Sequence, residues 1–327
     1  MKFGIHLTAQ DWDTFRRQCT MAEDAGFTHL WLAETPFFAR DSYIALAEAV
    51  RATRQCLVAP GCTNVVLRHE VLAASGLASV DAMAPGRVIC GIGSGDRAVR
   101  LLGRRPTPVA ETRQVIGRLR QFWRGEEVDY DGQTVQSAYS AEPLPVYLFA
   151  EGVRTLALAG ETADGVVVGS GIDEGIVSWA LDNVRKGMAV VERTAPPDTW
   201  FACFASIHSD IALARDAIRP RLANRVRHNV MAAPDLVPAE HRAECDRLLR
   251  AFDLKQWHKP AQASLVTDYM VDRFTLAGPP ETVLARLQNL SAGGVDGVVV
   301  NLTPADFDAQ VDRFARDIIA AVAAATP

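Results

Sequence analysis

Three side chains able to exchange a proton stand at the ends of short apolar runs. They are His6 in KFGIHL, Glu34 closing THLWLAE, and Asp96 after RVICGIGSG. Glycine-containing loops occupy equivalent places. Gly61, Cys62, Thr63 and Asn64 close a third run, and Ser94 and Gly95 precede Asp96. Glu151, Gly152 and Val153 follow PVYLFA, and Gly169 and Ser170 follow DGVVV. Glycine lets a backbone approach a flat ligand closely. Amides at the starts of the helices after the last two runs can hold a phosphate, helped by the helix dipole. Arg154 can add a charge-assisted contact there, or stand solvated on its helix. GIGSGD (91–96) can be a nucleotide loop or a tight strand-to-helix turn. His6 has no second ligand at metal spacing, and HExxH, GxSxG and CxxC are all absent. Dedicated zinc, serine-nucleophile and dithiol chemistry are therefore not expected.

The elements that would position these residues alternate along the chain. Strands are expected at 2–7, 28–34, 56–64, 87–95, 145–150, 164–171, 199–207 and 296–302. Amphipathic stretches lie between them, with Asp41 placed to cap one and Pro85-Gly86 ending another. Asp131-Gly132 reads as a hairpin turn within a polar insertion. Pro220 is expected to kink or split the helix at 211–226, and residues 227–270 read as irregular with short helices of their own. Trp31 and Trp123 fall on apolar stripes and read as core. Trp257 and His258 sit in the irregular insertion, where substrate-contacting loops are found. Strands that are apolar throughout suit a parallel sheet buried on both faces. Eight strand–helix units favour an α/β fold of the (β/α)8 TIM-barrel type, a single domain over 1–327 with an insertion at about 227–270. A Rossmann sheet would need GxGxxG after the first strand, and LTAQDWD has no glycine there. In such a barrel all the residues above converge at the C-terminal ends of the strands.

Composition bounds the partners. The 327 residues are 49 % hydrophobic and 22 % charged, with Lys+Arg 34 against Asp+Glu 39. A net charge of -5 offers no basic excess for nucleic acid. MKFGIHLTAQDWDTF is too polar for a signal peptide, and IIAAVAAA is far short of the roughly 20 residues that span a bilayer. A cytoplasmic protein with six reduced cysteines is the expectation.

The loops also carry a resemblance. AEDAGFTHLWLAE (22–34), APGCTNVVLRHE (59–70), GRVICGIGSGD (86–96), LRQFWRGEEVDYDG (119–132), PVYLFAEGVRTLALAGETADGVVV (145–168) and GGVDGVVVNL (293–302) occur in matching order and spacing. Together they resemble the bacterial luciferase-like family of flavin- and deazaflavin-dependent oxidoreductases, nearest to its methylenetetrahydromethanopterin reductase-like branch. The resemblance implies coenzyme F420, slightly favoured, or FMN at the barrel mouth. It implies hydride transfer to or from a small organic substrate, and a homodimer. It places a non-prolyl cis peptide behind the ring at Gly61–Cys62. It places the cofactor phosphate near Glu151, Gly152, Val153, Gly169 and Ser170. Deazaflavin-dependent relatives often carry Asp-His after strand two, where this chain has Glu34-Thr35. Asp96, as the principal candidate, Glu34 and His6 are then the groups for the proton. Each also has a structural reading: Asp96 as a helix cap, Glu34 as a loop anchor, His6 as a packed core residue. Two other functions stay open. One is an FMN monooxygenase served by a separate reductase. The other is a barrel that binds a flavin without turnover.

Overall fold

The computed structural model describes residues 1–130, 132–138, 142–253, 260–303 and 306–325. The first four strands are β1 (Lys2–Leu7), β2 (His29–Leu32), β3 (Leu57–Pro60) and β4 (Cys90–Ile92). A hairpin, β5 (Glu127–Tyr130) and β6 (Gln133–Gln136), pairs antiparallel about residues 131–132; Asp131 itself lies outside the described residues. The main sheet resumes with β7 (Val146–Ala150), β8 (Gly165–Val168), β9 (Asp198–Ile207), β10 (Thr275–Gly278) and β11 (Gly297–Leu302). The strand order is β3-β2-β1-β11-β9-β8-β7-β4, parallel throughout. Parallel bridges Val58–Val88 and Thr63–Ile92 join the two ends and close the barrel. The fold is a (β/α)8 barrel, as the alternating pattern implies.

The helices are α1 (Trp12–Asp24), α2 (Ser42–Ala52), α3 (Glu70–Met83), α4 (Arg97–Leu101), α5 (Val109–Trp123), α6 (Val153–Thr162) and α7 (Glu174–Val190). They continue as α8 (Ile211–Ala232), α9 (Arg242–Ala251), α10 (Pro260–Ala263), α11 (Asp268–Phe274), α12 (Pro280–Ala292), α13 (Phe307–Arg313) and, after a π-helical stretch, α14 (Ala320–Ala324). Asp41 caps α2 by accepting from the Tyr43 and Ile44 amides. Trp123 is buried and donates from Nε1 to the Ala74 carbonyl at 3.0 Å, packing α5 on α3. Among the described residues no helix is long and apolar enough to cross a membrane.

Volume matching fills the barrel. Trp31, Ala59, Ile89, Tyr147, Val167, Trp200 and Val299 form an interior cluster. The large rings fit because glycines face them. A Cβ on Gly4 would lie 2.7 Å from Trp31 Nε1, one on Gly297 2.6 Å from Trp200, and one on Gly165 2.4 Å from Tyr147. Phe149 meets Trp31 edge-on at 5.5 Å, one layer nearer the C-terminal mouth, and so tops this packed plug.

Two features depart from the sequence reading. Pro220 does not split its helix: α8 runs through it for 22 residues. An internal proline costs about 3 kcal/mol. The compensation is burial of Ile218, Leu222, Val226 and Val230 against Leu248, Met270, Val271 and Phe274. The region expected to be irregular is thus largely a helical layer with its own core. The second feature is β10, too short to register as periodicity. It pairs Thr275–Gly278 with Phe204–Ile207 on the edge of β9 that β8 leaves free beyond Phe201.

Candidate active site

Closure of the barrel brings the C-terminal ends of β1, β2, β3, β4, β7, β8 and β11 to one mouth. The α8 helix lies across it. Arg221, Arg225 and His228 fall at i, i+4 and i+7, so they form one stripe of that helix.

The first network starts at β1. His6 Nε2 lies 3.2 Å from the Gly61 carbonyl, and His6 Nδ1 lies 3.3 Å from Asn301 Nδ2. A carbonyl only accepts, so Nε2 carries the proton. Arg221 donates from Nη1 to Asn301 Oδ1 at 3.2 Å, which leaves the Asn301 amide nitrogen to donate to His6 Nδ1. Every bond in the chain Arg221–Asn301–His6–Gly61 therefore has one direction. Burial, opposed by the Gly61 bond and reinforced by Arg221, Arg225 and Arg97, lowers the His6 pKa to about 4. His6 is a neutral imidazole with both nitrogens engaged. It positions Gly61 and has no proton free for a substrate, which corrects its expected acid–base role. The Gly61–Cys62 peptide it holds is cis, at the place the resemblance implies. The Cys62 thiol is pushed up to about 12 by burial, then by Glu34 and Glu151, and stays a thiol.

The second network crosses the mouth. His228 Nε2 meets Asp96 Oδ2 at 2.8 Å, and its Nδ1 meets Glu151 Oε2 at 3.3 Å. Arg100 Nε bonds the other Asp96 oxygen at 2.8 Å, and Arg225 pairs with the other Glu151 oxygen. Burial alone would lower the His228 pKa, but the hydrogen bonds and charges of Asp96 and Glu151 raise it to about 9. Burial pushes Asp96 up, and His228 and Arg100 outweigh it, holding the carboxyl at about 2. Glu151 is likewise lowered, with burial overcome by Arg225 and then His228. At neutral pH this is an imidazolium clamped between two carboxylates. Asp96, expected as the principal acid, carries no proton there. It makes no side-chain cap bond to α4 either. Its partner, missed by the sequence reading, is on α8; the stripe would have been visible had the helix been followed past residue 226.

Glu34 differs. Its side chain is only 7 % exposed, and Oε1 accepts from Arg68 Nε at 3.2 Å. Arg68 also bonds Asp41 Oδ2 at 2.6 Å and lies over the Tyr43 ring. Glu34 Oε2 is buried and makes no hydrogen bond within 3.5 Å among the described residues, with the Thr63 side chain close enough to act on the carboxyl. Burial raises the Glu34 pKa by more than Thr63 and Arg68 lower it. It is the one expected acid whose environment favours the protonated form.

The loops divide into structural and open positions. The Thr63 amide donates to Gly91 O at 2.9 Å, Asn64 Oδ1 accepts from Leu67 N at 3.1 Å, and Ser94 O accepts from Thr107 N at 2.8 Å. Gly95 has φ +85°, and a Cβ there would lie 2.7 Å from Val99 and 3.2 Å from Asn64. Those four shape the turn beside the cis peptide. Ser170 Oγ donates to Glu151 O at 2.7 Å, tying β8 to β7. A Cβ on Gly169 would strike Glu151 and Arg225 at 2.5 and 2.6 Å. The space over Gly152 is open, with nothing within 4 Å of a Cβ there, and Val153 and Arg154 behind it are exposed. The first turn of α6 therefore faces free space, as phosphate binding requires. Trp257 and His258 lie outside the described residues.

A closed barrel with a cis peptide at the end of β3 and buried acid and cation networks around its mouth has the architecture of a luciferase-like oxidoreductase. The family model described as luciferase-like monooxygenase matches residues 1–297, and the chain belongs to that family. It is 29 % identical over 315 residues to the 5,10-methylenetetrahydromethanopterin reductase of Archaeoglobus fulgidus, spanning 91 % of this chain and 92 % of that protein. It is 26 % identical to the F420-dependent glucose-6-phosphate dehydrogenase of Beutenbergia cavernae, over 91 % of this chain and 90 % of that protein. In fold it is similar to the coenzyme F420-dependent tetrahydromethanopterin reductase from Methanopyrus kandleri. The TM-score is 0.84 at 24 % identity, over 98 % of this chain and 99 % of that chain.

The His228 clamp sets a pH dependence. Its pKa is raised from 6.5 to about 9 on folding, so its contribution to stability is whole below 6.5 and fades as pH rises through 9. Melting temperatures of the wild type and His228→Gln, taken across that range, should differ most at the low end and converge above it. Parallel curves would mean that His228 is not the clamp.

Proposed function

We propose that the protein is an F420-dependent oxidoreductase, and that Glu34 is the residue that gives or takes the proton. The observation that carries the reading is the buried Glu34 carboxyl at the mouth, ion-paired with Arg68 through only one of its oxygens. The residues present fit a deazaflavin. Gly61, Cys62, Ser94 and Gly95 bring small residues to the strand ends beside the cis peptide, and the open first turn of α6 at Gly152 and Val153 suits a phosphate. Gly169 and Ser170 shape its wall. The relatives reported above at nearly full length include F420-dependent enzymes by name, which favours F420 over FMN. The deazaflavin supplies the hydride when bound. His6 holds the Gly61 carbonyl in place, Asp96 and Glu151 stay ionised under His228, and Glu34, its pKa raised by burial, exchanges a proton with the reacting substrate. Two-fold homodimers in a reducing cytoplasm complete the reading.

Parallel fluorescence titrations with F420 and FMN test the cofactor. F420 should bind more tightly, and Gly152→Val should weaken it by filling the space over α6. Equal binding of F420 to both proteins would remove the phosphate from this place. Turnover that requires oxygen and FMN from a separate reductase would instead favour monooxygenation.

Glu34→Gln should keep cofactor affinity and lower turnover by on the order of a hundredfold or more. A role that needs the protonated carboxyl gives a wild-type rate that falls as pH rises through the elevated Glu34 pKa. The glutamine variant should lack that limb. An unchanged rate and profile would pass the proton to water or substrate.

Light scattering should find twice the mass of one chain at micromolar concentration. A single-chain mass throughout would contradict the dimer.

A further inference from the structure

The His6 ring joins two anchors that cannot exchange roles. At one end stands Arg221, a donor that keeps its charge, and at the other the Gly61 carbonyl, which only accepts. The pairing of β1 with β11 sets Ile5 beside Val300, so the next residues, His6 and Asn301, are neighbours on adjacent strands. His6 is in register with Trp31 of the interior cluster, and Asn301 with Phe204 of β9. Arg221 is fixed against the same strands. It bonds Asn301 Oδ1 at 3.2 Å and Leu302 O at 3.4 Å, and its guanidinium lies 5.6 Å from the Phe204 ring. Gly61 packs on His6 and Trp31, since a Cβ there would lie 3.4 Å from His6 Cδ2 and 3.1 Å from Trp31 Cβ. The end of β3 therefore rests on the His6 ring.

A neutral imidazole has one donor and one acceptor. It satisfies both ends of this chain only if the residue between Arg221 and His6 accepts on one side and donates on the other. An amide does that, and a carboxylate does not. An aspartate in place of Asn301 would accept from both Arg221 and His6 Nδ1, and His6 could then reach Gly61 only as an imidazolium. A cation there is opposed by burial and by the charges of Arg221, Arg225 and Arg97. We propose that Asn301 is a positioning residue whose amide keeps His6 a neutral imidazole protonated at Nε2, and so holds the Gly61 carbonyl and the end of β3 as the floor of the cofactor site. Asn301 acts through His6 and not by touching the cofactor. The use of this floor in binding rests on the F420 reading, whereas the state of His6 does not.

Nitrogen NMR of the full-length, histidine-labelled protein at neutral pH tests that state, with the His6 signals identified by their loss in His6→Gln. Wild type should carry the proton on Nε2, with Nδ1 bare and hydrogen-bonded. Asn301→Asp should place a proton on Nδ1, and Asn301→Ala should move Nδ1 to the position of an unbonded lone pair. A proton on Nδ1 already in the wild type, or His6 signals unchanged in both variants, would overturn the proposal. The second variant covers failure of the first to fold. Fluorescence titration with F420 tests the action. Asn301→Ala should weaken binding by roughly threefold to tenfold, the scale of one hydrogen bond, and add no further loss in a His6→Gln background. An equal loss in both backgrounds would mean that Asn301 meets the cofactor itself, and unchanged affinity in the single variant that the floor does not need it. Either result overturns the positioning role. If F420 binds none of these proteins while Nδ1 gains its proton in Asn301→Asp, Asn301 still sets the state of His6 and the F420 reading falls.

Discussion

Charge brought out of water at the barrel mouth is the constraint on which the rest of this site depends. Asp96, Glu151, Glu34, His6, His228, Arg97, Arg221 and Arg225 are all at most partly exposed. A buried ion is tolerable only with a partner or with a change of protonation state. The structure uses both answers. Asp96 and Glu151 keep their charges because His228 takes a proton between them. His6 gives up its charge and becomes a directional hydrogen-bonding group. Glu34, with Arg68 on only one oxygen, is pushed towards neutrality.

These answers depend on α8. The strand ends supply the acids; Arg100 and Arg68 reach Asp96 and Glu34 from nearby segments, but His228 and Arg225, which join Asp96 to Glu151, come from α8. That helix is held by a separate apolar core with α9 and α11, strong enough to carry Pro220 in its middle. The packing of one face of α8 thus sets the electrostatics presented by another. On the barrel side, Trp31, Tyr147 and Trp200 form a plug sized by facing glycines, which keeps the strand ends in register beneath the site. Rigid support below and a charged helix above frame the mouth of the barrel.

The two kinds of residue in the site were not equally legible. The strands of the barrel, the placement of Gly61–Cys62 and Gly152 at their ends, and the approximate position of the site follow from apolar runs and glycine-bearing loops, which are local properties of the chain. The sequence by itself thereby determined the barrel and the set of groups gathered at the C-terminal ends of its strands. It did not determine which group holds a proton. Asp96 and Glu34 are equivalent as residues after apolar runs, yet one lies near 2 and the other is raised. Asn301 and Arg221, which orient His6, look like ordinary strand and helix residues in sequence. Only the tertiary structure decided these roles, because a pKa and a tautomer follow from burial and from partners a few ångströms away in space, and those partners arrive from strands and helices distant along the chain.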